Sequence, residues 1–271
     1  MAPAAATADN AAPAIAKRDV ADSFSRAAVH YDSVAGLQRD VGAQLLTRLD
    51  DYAGAPQVVL DLGSGTGFFA PELAARFPAA QYIGLDIAEG MARHACAQCT
   101  GQAQWLVADA EALPLAAESV DLVYSSLAIQ WCERPRHLFA ELARVLRPGG
   151  CCVFTSLGPA TLRELREAWA AVDAHQHVNS FLPGTALRAA ADLPGLELAL
   201  DTRDFYMHYD RVRELLDELK TLGAHNMNRQ RAHGLTGRRA LQGMLQAYEA
   251  KRENGLLPAT YEVQFGILRK A

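Results

Sequence analysis

Between residues 57 and 157 short apolar runs alternate with amphipathic stretches. Residues 57–62 form a β-rich apolar run, 81–85 a second, 103–107 a weaker third, 120–125 a fourth and 151–156 a fifth. Between them, residues 68–77, 89–99 and 136–146 carry apolar positions at helical spacing. Pro78 stops the first of these helices, and Arg147-Pro148-Gly149-Gly150 closes the third. Apolar strands alternating with helices predict a mostly parallel sheet covered on both faces, an α/β fold.

The flanks follow another rhythm. Over residues 20–52 the apolar positions Phe24, Ala27, Ala28 and Tyr31, then Leu37, Val41, Leu45, Leu46 and Leu49, predict helix, broken by Ala53-Gly54-Ala55-Pro56. After Leu157, helices are expected over 162–175 and 185–193, with 177–183 irregular between them. A strand over 196–209, a helix over 211–222, a polar basic loop over 225–237, a helix over 241–254 and a strand over 260–268 complete the chain. The Ala- and Pro-rich residues 1–18 are expected to be a disordered tail.

Half of the 271 residues are hydrophobic, enough for one full α/β core. A net charge of −5 and a pI near 5.9 argue against a broad surface for nucleic acid or for anionic membranes. No apolar run is long enough to span a bilayer, and the first residues lack the pattern of a signal peptide. The five cysteines (Cys96, Cys99, Cys132, Cys151 and Cys152) are odd in number and scattered, unlike a disulfide framework. A cytoplasmic protein is expected. Cys96 and Cys99, with His94 nearby, have no second ligand pair at matching spacing, so no metal is expected.

The most informative segment is Val58-Val59-Leu60-Asp61-Leu62-Gly63-Ser64-Gly65-Thr66-Gly67. A buried strand ends near an acid, and glycines then alternate with small residues before a helix. In an open parallel sheet, ligands bind beyond the carboxyl ends of the strands. A dinucleotide loop needs G-x-G-x-x-G, but here Phe68 stands where the third glycine belongs. Asp61 is also ill suited to a pyrophosphate and well suited to an ammonium. Asp86 closes the second strand, where an acid can accept ribose hydroxyls. Asp109 follows the third strand, where its carboxylate or the adjacent backbone can reach an adenine amine. Ser126-Leu127-Ala128 follows the fourth. Singly, Asp86 and Asp109 would be turn or cap residues; together they match successive parts of one ligand bearing an ammonium and a sulfonium.

This region resembles class I S-adenosylmethionine (SAM)-dependent methyltransferases over residues 59–67, 84–87, 109–114, 120–127 and 144–150. The resemblance implies a Rossmann-like, seven-stranded, mostly parallel sheet with an antiparallel last strand. It also implies a helical N-terminal lid at 19–56 and a SAM-binding domain at 57–271, with a substrate-cap insertion after strand five at about 158–193. The implied SAM contacts are Tyr31, Asp61, Gly63, Ser64, Gly65, Asp86, Ile87, Met91, Asp109, Ala110 and Leu127, with core packing the alternative for Met91.

A second resemblance lies outside the core. Phe24-Ser25-Arg26-Ala27-Ala28-Val29-His30-Tyr31-Asp32 with Leu37-Gln38, and Ala128-Ile129-Gln130-Trp131-Cys132, are similar to the biotin-pathway malonyl-acyl-carrier protein O-methyltransferases. So are His177-Val178-Asn179-Ser180-Phe181-Leu182-Pro183, Leu219-Lys220-Thr221-Leu222-Gly223-Ala224-His225-Asn226, and the stretch from Pro258 to Gly266. The implied activity is methylation of the free carboxylate of a malonyl thioester, with malonyl-acyl-carrier protein or malonyl-CoA as substrate. No general base is expected, because a carboxylate is already ionised near neutral pH. Tyr31 and Gln130 are possible helpers. Trp131, Asn179, Phe181 and His225 are substrate-side candidates, with core packing the alternative for Trp131 and Phe181 and a surface or cap role for His225. No residue is singled out as the carboxylate anchor, although an Arg would suit bidentate capture. An acidic carrier would meet a basic dock, either Arg229, Arg231, Arg238 and Arg239 near His225 and His233, or Arg163, Arg166 and Arg188. Two alternatives stay open: a methyltransferase for another small carboxylate or a quinone precursor, and a SAM-binding protein without catalysis.

Overall fold

The computed structural model describes residues 16–49, 54–99, 101, 103–224, 226 and 237–271. Seven strands form one sheet: β1 (Val58–Leu62), β2 (Gln81–Asp86), β3 (Ala103–Val107), β4 (Val120–Ser125), β5 (Leu146–Leu157), β6 (Leu196–Tyr209) and β7 (Leu257–Lys270). Their order is β3-β2-β1-β4-β5-β7-β6. The first five are parallel, and β7 runs antiparallel to both β5 and β6, as the resemblance implies. The order reverses between β1 and β4, so the carboxyl ends of those two strands flank the crevice where this architecture holds ligands.

Alternating side chains divide the interior into two layers. Val59, Leu122, Cys151 and Val153 face one core, with Leu37, Val41 and Leu45 from the N-terminal segment. Leu60, Val123, Cys152 and Phe154 face the other, with Leu138, Phe139 and Leu142. Neighbours in one strand therefore serve opposite cores, which is why these strands are apolar throughout.

The segment expected as helix over 20–52 divides into α1 (Lys17–Ala27), a single 3-10 turn (Tyr31–Ser33) and α2 (Gly36–Thr47). Helix α1 starts at Lys17, inside the stretch expected as tail. Three further helices alternate with the early strands: α3 (Ala70–Arg76), α4 (Glu89–Gln98) and α5 (Pro135–Val145). Helix α3 begins two residues later than the periodicity suggests, because Gly67 takes a positive φ of 77° and Phe68-Phe69 complete the turn. Strand β5 starts at Leu146, before the glycines rather than after them, with a register shift opposite Val120 and Leu122. Between β5 and β6 lie α6 (Arg163–Ala170) and α7 (Gly184–Ala191); α8 (Val212–Thr221) and α9 (Arg238–Glu249) follow β6. Among the described residues no helix is long and apolar enough to cross a membrane.

Helix α1 lies across the strand ends, held from both sides. The Ser25 hydroxyl accepts the Gly90 N–H at 3.1 Å, and the Ser23 hydroxyl donates to the Gly223 carbonyl at 2.9 Å. Gly90 permits this contact: a Cβ there would lie 2.4 Å from the Ser25 carbonyl oxygen.

Candidate active site

Three cavities meet beyond the carboxyl ends of β1, β2 and β4. The first, about 780 Å³, is lined by Gly63, Gly65, Asp86, Ile87, Met91, Asp109, Ala110 and Leu127, all expected from the sequence, and by Lys17, Phe24, Tyr31 and Trp131. The second, about 720 Å³, takes in Gln130, Asn179 and Phe181. The third, about 490 Å³, holds Asp61, Ser64, Gln38 and Arg39. Tyr31 lines all three. His225 lies outside the described residues; Ala224 and Asn226 beside it line the second cavity.

The glycine loop is shaped for close approach. Gly63 has a φ of 74°, and a Cβ on it would sit 2.2 Å from the Ala128 Cβ. Its neighbour Ser64 keeps a buried hydroxyl with no hydrogen-bond partner, and the Gln38 and Gln130 side-chain oxygens are also buried and unpartnered. Buried polar atoms are nearly always satisfied, so three orphans around joined cavities mark places for ligand atoms.

Asp86 closes β2 with each carboxylate oxygen on a backbone amide: Oδ1 accepts from Ala88 at 2.7 Å and Oδ2 from Gly65 at 2.9 Å. Burial raises its pKa, opposed by these amides. Asp61 is buried at the end of β1 and accepts a 2.7 Å hydrogen bond from the Tyr82 hydroxyl. Burial pushes its pKa up to about 7, against the pull of Tyr82 and with help from the nearby Asp86 charge. Burial likewise raises the Tyr31 phenol and the Cys132 thiol. Both stay protonated near neutrality, so Tyr31 is a donor and Cys132 is no nucleophile.

Tyr31 is placed by its neighbour Asp32. The Asp32 carboxylate accepts the Thr66 hydroxyl at 2.9 Å, fastening the 3-10 turn to the glycine loop, and its carbonyl accepts from Arg39 at 2.6 Å. Met91 is both core and wall: it is 1% exposed, packs with Ala27, Ala28 and Ala88, and still lines the first cavity. Leu127 holds a left-handed φ of 49°, its N–H bound to the Thr155 hydroxyl at 2.9 Å. Such strain in a non-glycine residue costs about 1–3 kcal/mol and gathers at functional sites.

Asp109 lines the cavity, but both of its oxygens already have partners. Oδ1 accepts the Glu111 N–H at 2.9 Å, and Oδ2 the Lys17 ammonium at 2.6 Å. Lys17 also reaches Glu111 at 2.8 Å, whose fully buried carboxylate pairs with Arg134 at 3.0 Å. The first residue of α1 is thereby anchored at the end of β3.

The basic residues divide. Arg163 faces Glu164 and Asp204, Arg166 caps the carbonyls of Pro159 and Thr161, and Arg188 those of Leu198 and Leu200. These three have partners within their own fold. Arg238 and Arg239 stand exposed at the start of α9; Arg229, Arg231 and His233 lie outside the described residues. Cys96 and Cys99 lie at the end of α4, and among the described residues no group of three or more His, Cys, Asp or Glu side chains is placed to hold a metal.

The sequence did not single out Lys17, Phe24, Thr66 or Arg39 as site residues, and noted Gln38 only as part of a similar stretch. The available signal was the seven-residue step from Tyr31-Asp32 to Gln38-Arg39.

The methyltransferase domain family matches residues 60–154. A methyltransferase-like structure from Bacillus halodurans superposes with a TM-score of 0.60 at 18% identity, covering 84% of this chain and 98% of that one. The cyclase SpnF superposes equally well, at 0.60 and 18% over 95% and 98% of the two chains, so the likeness carries the class I methyltransferase fold and not an activity. The biotin biosynthesis bifunctional protein BioHC of Cellvibrio japonicus is 50% identical over 96% of this chain, which spans about half (51%) of that protein. The malonyl-acyl-carrier protein O-methyltransferase of Methylococcus capsulatus is 44% identical over 94% of both chains. With that identity over almost its whole length, the chain belongs to the malonyl-acyl-carrier protein O-methyltransferase family.

Proposed function

We propose that this protein transfers a methyl group from SAM to the free carboxylate of a malonyl thioester, the activity named for its relatives in biotin biosynthesis. The observation that carries the assignment is the junction of the cavities. The first cavity carries Lys17, Asp86 and Asp109 and the third Asp32, Arg39 and Asp61, whereas the second has no Lys, Arg, Asp or Glu among its described lining residues. The second joins the first at Phe24, Tyr31, Leu127 and Trp131 and the third at Tyr31 and Gln38.

The residues of the first and third cavities fit SAM. Asp61 supplies an anion for the ammonium, Arg39 a cation for the carboxylate, and Ser64 an unpaired hydroxyl beside them. Asp86 has a second lone pair on each oxygen for the ribose hydroxyls. Ile87, Met91 and Ala110 wall the adenine, with Asp109 at its edge. The sulfonium supplies an electrophilic methyl group and, on losing it, becomes a neutral thioether.

The second cavity takes the malonyl group, with Trp131, Asn179 and Phe181 around it. A carboxylate oxygen forms the new bond to the methyl carbon, and the electron pair of the broken carbon–sulfur bond stays on sulfur. No proton moves, so the chain needs no base. It contributes alignment of the two reactants and exclusion of water, the work of α1, Phe24 and Tyr31.

The test is a mass-spectrometric assay with SAM and malonyl-acyl-carrier protein, with malonyl-CoA and free malonate alongside. A gain of one methyl on a malonyl thioester, with release of S-adenosylhomocysteine, is expected. SAM binding without methylation of any malonyl species would sink the substrate assignment.

A further inference from the structure

The second cavity contains no Lys or Arg among its described lining residues, although the substrate proposed for it is an anion. Apart from His177, its hydrogen-bonding side chains are of uncharged types, and several are already engaged. Thr161 donates to the Glu262 carbonyl, Gln130 to the Leu127 carbonyl at 2.6 Å, Asn226 to the Gln176 carbonyl at 2.6 Å, and His177 sits 2.8 Å from Asp173. Gln38 differs. Neither end of its carboxamide has a partner among the described residues, and its oxygen is fully buried. It also lines both the second and the third cavities, the boundary across which methyl donor and acceptor face each other.

We infer that Gln38 receives the substrate carboxylate, orienting it with a neutral amide in place of a cation. The inference rests on the malonyl assignment above. An uncommitted carboxamide offers two N–H donors, and a desolvated anion needs donors most. Neutrality also suits the reaction. The carboxylate loses its charge as the ester forms, so a fixed cation would stabilise the substrate more than the transition state and raise the barrier. A cation would also be left buried and unpaired beside the neutral product. An amide aligns the oxygen at a smaller ground-state penalty.

Gln38→Met keeps the length of the side chain and removes its hydrogen bonds. The experiment measures the affinity of malonyl-CoA and of its methyl ester for the S-adenosylhomocysteine complex, in the wild-type and Q38M proteins. Q38M should weaken malonyl-CoA about tenfold to a hundredfold, the range for losing a hydrogen bond to a charged group. The methyl ester, whose carbonyl accepts only a neutral hydrogen bond, should shift less, by about twofold to tenfold. Because Gln38 also lines the third cavity, S-adenosylhomocysteine affinity is measured by itself, and a loss there as large as that for malonyl-CoA would place the amide on the methyl donor and overturn the inference. Gln38→Glu places like charge against the substrate and should abolish malonyl-CoA binding at pH 8, with recovery as the pH falls toward protonation of the new carboxyl. Equal weakening of acid and ester in Q38M would show a structural role and overturn the inference, as would wild-type affinity for both or a Q38E protein that binds malonyl-CoA at pH 8. If wild-type protein neither binds nor methylates any malonyl thioester, the malonyl assignment falls and this inference with it. If it methylates one and Q38M is indifferent, the inference alone fails.

Discussion

The rings of Phe24 and Trp131 meet edge to face with centroids 5.5 Å apart, and this contact is the partition between the first and second cavities. Phe24 comes from α1 and Trp131 from the 3-10 turn after β4, so the partition exists only while α1 is docked. An aromatic pair of this kind contributes about 0.5–1.5 kcal/mol beyond the area it buries. Phe24→Ala should lower kcat by about tenfold or more through misalignment and entry of water, while Phe24→Leu, which fills part of the gap, recovers some of the loss. Wild-type steady-state constants for F24A would remove the partition from the mechanism.

Lys17 fastens the start of α1 to Asp109 and Glu111. Lys17→Ala leaves the buried Glu111 carboxylate with Arg134 as its remaining cationic partner. Charge-assisted contacts of this kind are worth about 1.5–3 kcal/mol each when partly buried. Limited proteolysis should cut K17A ahead of Phe24 several times faster than the wild type, and S-adenosylhomocysteine should slow the cut. Identical digestion rates would mean that the lysine does not hold the lid.

Asp61 gives the site a pH dependence whose sign follows from burial. Its carboxyl is pushed up to about 7, and only the ionised form can pair with an ammonium. SAM affinity, measured by calorimetry, should therefore fall on the acid side of 7, by about tenfold per pH unit once Asp61 is mostly protonated. Asp61→Asn should bind SAM weakly with little slope. In the ligand-free protein the native state holds this proton more tightly than the unfolded chain does. The contribution of Asp61 to stability thus becomes less favourable as pH rises from about 4 to about 7, then levels off. Urea unfolding of wild type against D61N across that window should show the difference.

Gly90 sets two effects against each other. Alanine in its place would favour α4 by about 1 kcal/mol in helix propensity. The added Cβ would lie 2.4 Å from the Ser25 carbonyl oxygen and 2.7 Å from the Ser25 Cα. Backbone atoms on α1 cannot yield by a rotamer change, so the helix must shift. The clash with backbone outweighs the propensity gain, so Gly90→Ala should lower the melting temperature and weaken SAM several-fold; wild-type stability and SAM affinity in G90A would contradict the docked position of α1.

The early strands and the acids at their ends were legible because both signals are local. Leu60 and Asp61, or Leu85 and Asp86, sit a residue apart on one strand, and the parallel sheet brings the strand ends together. The antiparallel β7 came from family resemblance, since alternation alone does not reveal strand direction. Lys17 and Gln38 were harder to find. Each sits on a helix whose placement depends on contacts distant in sequence, such as Lys17 with Asp109 and Ser23 with Gly223. Helical periodicity predicted a longer continuous segment over 20–52 because Ala27, Ala28 and Tyr31 stay in phase through the break. The left-handed φ of Leu127 leaves no mark in composition, as leucine rarely adopts it.

Tyr31 belongs to all three cavities and stands on a connection of a few residues between α1 and α2. The proposed donor and acceptor cavities therefore share one wall. A ligand that fixes that wall would spare the second part of the cost of fixing it. The gain must be mutual, because the coupling free energy between two ligands is the same read from either side. If the proposed donor and acceptor sites are right, each ligand should tighten the binding of the other by the same factor.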